Sequence, residues 1–305
     1  MPSVFESLKE MLKDLYDLYV YIDGKFVKGE EAKISVWDHA LLYGDGVFEG
    51  IRAYDGKVFA LDEHLNRLFE SAQALNIVIP ISKEELGQAI LETLRKNKLK
   101  DAHIRPVVTR GVGRPGMDPK RAVRASVVVL AYPFPPYAGE KPLRMIISSI
   151  RRKSPYAVDS KIKSLNYLDN ILAKQQAIAA SVDEAVMMDV NGYVAEGTGE
   201  NIFVVKNGKL YTPSTVAALD GITRRIVMEL ASRFGVEVQE KSITYQELYV
   251  ADEVFLTGTG AEIVAVKEID GRIIGNGEPG PLTEKITQEY KQYVRTKKVT
   301  PIYET

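Results

Sequence analysis

Cysteine is absent from this chain of 305 residues, which excludes disulfides, zinc–thiolate sites and a thiol nucleophile together. Such a composition suits a cytoplasmic enzyme. Histidine is scarce: His39, His64 and His103 are widely spaced and none lies in an HExxH pattern, so no metal site is expected. Excess charge of one sign is missing as well. Lys and Arg number 40 against 41 Asp and Glu, a formal net charge of −1, so no overall field draws the chain to nucleic acid or to an anionic membrane. Small neutral or anionic ligands are the expected partners. No apolar run approaches membrane-spanning length. Residues 1–20 carry Glu6, Lys9, Glu10, Lys13, Asp14 and Asp17 and so hold no apolar stretch of signal-peptide kind. A GxxxxGK[ST] phosphate loop and a GxSxG elbow are also lacking. Gly111-Val-Gly-Arg-Pro-Gly116 matches GxGxxG, but Met117-Asp118-Pro119 leads into another β-rich run where a dinucleotide fold needs a helix.

What is present suffices for a large core, with 45% hydrophobic residues, and the length suggests two domains. Asp23-Gly24, Asp55-Gly56, Asn191-Gly192, Asn207-Gly208 and Asp270-Gly271 mark tight turns between β-rich runs, which predicts largely antiparallel sheets. Helical spacing of Phe5, Leu8, Met11, Leu12 and Leu15 predicts an N-terminal amphipathic helix. Further helices are expected over 62–76, 167–181, 221–234 (with Gly235 as its stop) and 283–296, and Ser82 with Glu85 forms a capping box ahead of Leu86, Ile90, Leu91 and Leu94. This is an α+β mixture rather than a βαβ alternation. The proline-rich stretch after Ser126–Ala131 reads as a linker. It divides a small N-terminal domain (1–131, with the helical extension) from a large domain (142–305) through residues 132–141.

Two segments have the character of anion sites. Leu219-Asp220-Gly221-Ile222-Thr223-Arg224 is a glycine turn leading into a helix, whose free N–H groups and dipole favour an anion. Thr257-Gly258-Thr259-Gly260-Ala261 follows a strand, and its small residues allow backbone amides to form a nest. Taken alone, either reads first as an ordinary turn. Arg67 lies off the Leu65, Leu68, Phe69, Ala72 and Leu75 face of its helix, the position of a solvated arginine. Lys161 and Lys163 stand two apart; on a strand end both would point to one side, where a buried lysine could serve as a Schiff-base nucleophile. A surface basic pair is the alternative. Glu196 sits where a strand gives way to glycines, a place where a surface carboxylate is common.

Taken together these segments resemble the fold-type IV pyridoxal 5′-phosphate (PLP) enzymes, and most closely the branched-chain amino acid aminotransferases, from about Tyr19 to about Phe255 and on to Ile274. The resemblance is carried by His39-Ala-Leu-Leu-Tyr-Gly-Asp-Gly-Val-Phe-Glu-Gly-Ile-Arg52, Glu63-His-Leu-Asn-Arg67, Ile104-Arg-Pro106, Lys163-Ser-Leu-Asn-Tyr167, Glu196-Gly, Gly221-Ile-Thr223 and Gly258-Thr-Gly-Ala-Glu262. It implies an α+β fold-type IV enzyme of two domains with antiparallel-rich sheets. It implies that Lys163 is the Schiff-base lysine and the group that moves the α-proton, with Lys161 a bystander. Glu196 would pair with the pyridine nitrogen, Tyr167 with the phenolic oxygen, and Leu219 would pack on the ring. Arg67, Ile222, Thr223 and Thr259 would hold the phosphate. The implied substrate pocket is Tyr43, Phe48, Gly50, Met117 and Tyr137, with the N–H groups of Gly260 and Ala261 near the substrate carboxylate. Arg105 would receive the distal carboxylate of glutamate, assisted by Arg52. In the family Tyr43 and Met117 reach the partner's site, so a homodimer or higher homo-oligomer is implied.

The expected reaction is amino transfer between leucine, isoleucine or valine and 2-oxoglutarate. The Lys-Ser-Leu-Asn-Tyr form is nearer to D-amino acid aminotransferases and aminodeoxychorismate lyases, and in D-amino acid and (R)-amine aminotransferases arginines in the region of Arg110 and Arg114 can take the substrate carboxylate. Phe48-Glu-Gly-Ile-Arg52 and Ile104-Arg-Pro106 favour the L-branched-chain reading, and Arg105 with Gly260-Ala261 argues against a lyase.

Overall fold

The computed structural model describes residues 12–134 and 141–303. Two compact units emerge. The first comprises Met1–Pro135, Lys163–Leu165 and Lys297–Thr305, the second Pro136–Ile162 and Asn166–Thr296. The division is therefore not contiguous, as the expected boundary at 132–141 had it: the lysine segment and the C-terminus group with the first unit. Tyr132 and Pro133, expected in the linker, instead complete a strand.

In the first unit, a two-residue hairpin joins β1 (Tyr19–Ile22) to β2 (Lys25–Lys28). Asp23 and Gly24 both take positive φ, 47° and 89°, which matches the turn to the strand twist. After α1 (Lys13–Tyr16) and α2 (His39–Tyr43) come β3 (Gly46–Phe48), β4 (Ile51–Tyr54) and β5 (Lys57–Phe59). Helices α3 (Leu61–Ala74) and α4 (Lys83–Lys96) follow, then the long strands β6 (Ala102–Thr109) and β7 (Ser126–Pro133). The eight-stranded sheet runs from the C-terminal strand Val299–Pro301 through β5, β4, β6, β7 and β1 to β2, with β3 on β6. All its pairings are antiparallel. The α3 and α4 helices pack on each other and on this sheet, burying Leu65, Leu68 and Ala72 and Leu86, Ile90 and Leu94. The Ser82–Glu85 capping box is formed in both directions. Of the amphipathic N-terminal helix, Phe5, Leu8 and Met11 lie outside the described residues.

The second unit carries β8 (Leu143–Arg151), α5 (Leu168–Ala179), β9 (Glu184–Met188), β10 (Val194–Glu196), β11 (Asn201–Lys206) and β12 (Lys209–Thr212). Then come α6 (Ile222–Arg233), β13 (Val238–Glu240), α7 (Tyr245–Tyr249), β14 (Glu253–Gly258), β15 (Glu262–Ile269), β16 (Arg272–Ile273) and α8 (Pro281–Thr296). Its nine-stranded sheet runs β10-β9-β8-β15-β14-β11-β12-β13, with β16 on β15. Only β8–β9, β8–β15 and β12–β13 are parallel, in keeping with the largely antiparallel expectation. The α5 helix covers β8 and β9 while α6 and α8 pack on β14; β9 and β11 are near-continuous apolar runs and are buried. Phe203 and Phe255 stack at 5.1 Å across β11 and β14. Gly235, at φ 75°, ends α6 where expected.

Candidate active site

Lys163 is not on a strand end. It lies in an irregular stretch in which Ser164 alone forms an antiparallel bridge, to Val47; Lys161 is exposed while Lys163 is half-buried. Three hydrogen bonds fasten this stretch to the first unit. Phe48 N donates to Lys163 O (3.0 Å), Leu165 N to Gly46 O (2.9 Å), and Lys163 N to Ser71 Oγ of α3 (3.2 Å). The approach depends on Gly46, where a Cβ would lie 2.7 Å from both Leu165 Cδ1 and the Val108 carbonyl oxygen. Lys163 Nζ stands 4.8 Å from the centroid of the Phe48 ring.

Arg67 is buried rather than solvated, because the next residue after Phe48 is its partner. Glu49, fully buried, accepts from Arg67 Nε and Nη2 (2.7 and 2.8 Å) and from His64 Nδ1 (2.7 Å). Burial alone would push the Glu49 carboxyl up, but Arg67 and His64 outweigh it and hold the group well below the carboxylate range. His64 is driven down first by its own burial and then by Arg67 and Lys163, against the pull of Glu49. Neutral His64 thus donates from Nδ1, since a carboxylate only accepts. The bidentate fork fixes the guanidinium plane of Arg67.

On the adjacent strands, Arg52 is paired in register with His103, and His103 with Tyr132. Arg52 lies 4.8 Å from the Tyr54 ring and 4.7 Å from Phe134; Arg105 lies 4.5 Å from Phe48. The Arg105 Nε is buried with no hydrogen-bond partner among the described residues. His103 stacks on Tyr132 at 5.3 Å and is pushed down to about 4 by burial and then by Arg105 and Arg52. Gly50 lets this ring come close: a Cβ there would sit 3.2 Å from His103 Nε2. Tyr43 Oη accepts from Gly116 N at 2.7 Å, Asp38 bridges Val112, and no α-helix follows Gly111–Gly116, only the short 3-10 turn Pro119–Arg121. Met117 is exposed; Tyr137 lies outside the described residues. Arg110 is consumed by Asp45 (2.7 and 3.0 Å) and by the carbonyls of Leu75 and Asn76.

The second unit holds Glu196, which is buried. Its Oε1 accepts from Arg152 Nε at 2.6 Å, and its Oε2 from Leu219 N at 3.0 Å and Asn201 Nδ2 at 3.3 Å. Arg152 in turn reaches Asp169 (2.8 Å) and Asn170 (3.1 Å) at the start of α5; burial would lower it, but Glu196 and then Asp169 raise it. Next to them Tyr167 precedes α5 with Lys153 Nζ 5.5 Å from its ring. The α6 helix begins at Gly221 without a side-chain cap, and Ile222 and Thr223 are buried in its first turn. Asn201 faces Thr257 in the β11–β14 ladder. Thr257 Oγ1 is buried with no partner among the described residues, and Thr259, Gly260 and Ala261 form the turn from β14 to β15. The two anion-type segments are thereby brought together around Asn201.

Sequence reasoning did not single out Glu49, Arg152 or Asn201, the side chains that bond to Arg67, Glu196 and Leu219. Arg152 and Asn201 carry no local signal, since the groups they hold are set by the fold. For Glu49 there was one: His64, Arg67 and Ser71 recur at helical spacing, a second, polar stripe on α3 that asks for a buried acid.

The family model described as Amino-transferase class IV matches residues 46–269. The branched-chain-amino-acid aminotransferase of Pseudomonas aeruginosa is 42% identical over 290 residues, 92% of this chain and 94% of that protein. That of Escherichia coli K12 is 40% identical over 282 residues, 89% and 91%. Among solved structures, the Thermoproteus uzoniensis branched-chain aminotransferase with norvaline superposes with a TM-score of 0.89 at 41% identity, covering 94% of this chain and 99% of its own. The branched-chain amino acid aminotransferase from Thermobaculum terrenum, in its PLP-form, gives 0.88 at 31% identity, covering 95% and 100%. With the family model and these relatives matched over most of its length, the chain belongs to the class IV aminotransferases.

Proposed function

We propose that this chain is a branched-chain amino acid aminotransferase that uses PLP to exchange an amino group between leucine, isoleucine or valine and 2-oxoglutarate. The observation that carries this reading is the ring of Phe48, with the Lys163 ammonium 4.8 Å and the Arg105 guanidinium 4.5 Å from its centroid. One apolar wall thus joins a group able to move the α-proton to a cation whose buried Nε has no partner among the described residues. An apolar side chain uses the wall; the distal carboxylate of glutamate uses the cation.

The residues fit PLP. Glu196 is a buried carboxylate set for a protonated nitrogen, and among the described residues the α6 start has no capping side chain and Thr257 Oγ1, beside the β14–β15 turn, has no partner. The cofactor, when bound, supplies an electron-accepting ring and a carbonyl that takes up the amino group. Lys163 would hold it and would carry the proton at the substrate α-carbon. Glu196 holds the proton on the pyridine nitrogen, and Tyr167 donates to the phenolic oxygen. Leu219 covers the ring face; Arg67, Ile222, Thr223 and Thr259 hold the phosphate. Tyr43, Phe48, Gly50 and Met117 shape the side-chain pocket, Gly260 and Ala261 N–H groups receive the substrate carboxylate, and Arg52 assists Arg105.

Arg110 favours L-amino acids over the D-amino acid alternative, because both its edges are already bound within the first unit. We also assign a homodimer, or an assembly of dimers, in the cytoplasm, on the family resemblance and on the exposed apolar side chains of Val36, Trp37 and Leu41 beside Tyr43. The test is to mix PLP-loaded protein with L-leucine or D-leucine and follow the visible cofactor band. Loss of the band with L-leucine alone, restored by 2-oxoglutarate and abolished by Lys163→Ala, is expected. Faster loss with D-leucine would overturn the substrate assignment.

A further inference from the structure

We propose that Asn201 is a positioning residue that fixes the separation between Glu196 and the start of α6, and so matches the second unit to a ligand with a basic nitrogen at one end and a phosphate at the other. The proposal rests on the reading of Glu196 and α6 as the two ends of a PLP site, and adds the part that sets their spacing. Asn201 is buried at the first position of β11. Carboxylate and carbonyl oxygens only accept, so its amide orientation is determined: Nδ2 donates to Glu196 Oε2 (3.3 Å) and to Leu219 O (2.8 Å). Leu219 N donates to the same Glu196 oxygen at 3.0 Å, closing a small ring of bonds.

The other side of the amide faces the helix. A Cβ at Gly221 would collide with Asn201 Oδ1, so the α6 N-cap rests directly on this side chain. Across the ladder the backbone of Asn201 is paired with Thr257, immediately before the glycine turn. A single rigid strand residue therefore touches the carboxylate, the segment leading into α6 and the strand that carries the nest. Its two donors are both spent, which leaves it little freedom to reorient. Asn201 is placed to set distances; the direct ligand contacts belong to its neighbours.

The experiment uses the full-length apo-protein and three probes: PLP, pyridoxal, which lacks the phosphate, and the 1-deaza analogue of PLP, which lacks the nitrogen. Binding is followed by quenching of intrinsic fluorescence, with thermal unfolding measured alongside. Asn201→Ala is expected to reduce the preference for PLP over pyridoxal, and its preference over the deaza analogue, by about tenfold each, the equivalent of ~1.4 kcal/mol. Gly221→Ala, which presses on the same amide from the helix side, is the second variant and is expected to lower the PLP-to-pyridoxal preference likewise. If both variants melt earlier yet keep wild-type preferences, Asn201 is merely structural and the proposal fails. If the wild-type protein does not prefer PLP to either analogue, and Glu196→Gln binds all three as the wild type does, the cofactor reading itself falls.

Discussion

At the scale of single residues, the proposed role of Arg105 is to separate the two substrates by charge. Arg105 lies against the same ring as Lys163, and its buried Nε has no partner among the described residues. A charge-assisted hydrogen bond contributes about 1.5–3 kcal/mol, so Arg105→Ala should lower kcat/KM for 2-oxoglutarate by roughly 10- to 100-fold while leucine is affected much less. Steady-state kinetics on both substrates decides it: equal losses would move the distal carboxylate site elsewhere. The neighbouring His103 resists protonation more than an exposed histidine does. Burial, then Arg105 and Arg52, push it down to about 4 in the folded protein, against about 6.5 when unfolded. The unfolded chain therefore binds the proton first on acidification. The stability contributed by neutral His103 is complete above about pH 6.5 and is lost as the pH falls towards 4, at most about 3 kcal/mol. Denaturant melts between pH 4 and 8 should show a shallower acid slope for His103→Phe than for the wild type; parallel slopes would mean that the ring is readily protonated in place.

At the scale of elements, the position of Lys163 is a property of β3. The stretch Lys163–Leu165 lies along Gly46–Phe48 through two backbone bonds and the Val47–Ser164 bridge, and glycine at 46 is what permits the contact. Leu165 can turn its side chain away from an added methyl, but the Val108 carbonyl belongs to the β3–β6 ladder and cannot. Gly46→Ala should cost about 1–3 kcal/mol by overpacking and reduce amino transfer by displacing the lysine. Wild-type melting and turnover in this variant would show that the close approach is dispensable. Much of this architecture is legible in the chain itself. The Asp-Gly and Asn-Gly turns locate the hairpins, and Ser82, Glu85 and Gly235 mark helix ends, because each of those signals acts within a few residues. The strand end considered for Lys161 and Lys163 is not formed. That stretch takes its conformation from Gly46, Phe48 and Ser71, which are about ninety residues away or more. Periodicity misplaces Arg67 for a related reason, since its burial is decided by Glu49 and an apolar pattern does not register a buried acid. Glu196 is singled out only by family resemblance, whereas Arg152, which bonds to it, stands in an unremarkable basic triplet at the end of β8.

At the scale of the whole molecule, the proposed dimer bears on the surface of the first unit around α2. Tyr43 Oη accepts from Gly116 N, and His39 Nε2 lies 3.2 Å from Arg114 O, so α2 and the 111–118 loop form one braced structure. Val36, Trp37, Leu41, Val112, Met117 and Val123 are all exposed on or beside it. The proposed dimer would cover apolar side chains of this kind. A second copy of the chain is the occupant that the proposed roles of Tyr43 and Met117 require, each serving the partner's substrate pocket. Trp37→Glu combined with Leu41→Glu places two charges on that surface without touching Lys163, Glu196 or Arg67. The wild type should elute with a light-scattering mass of at least two chains, and the double variant as a single chain that still binds PLP but turns over leucine roughly tenfold more slowly or worse. A wild type that is monomeric at assay concentration and fully active would remove the partner from the mechanism. A monomeric double variant with full activity would confine Tyr43 and Met117 to bracing their own loop.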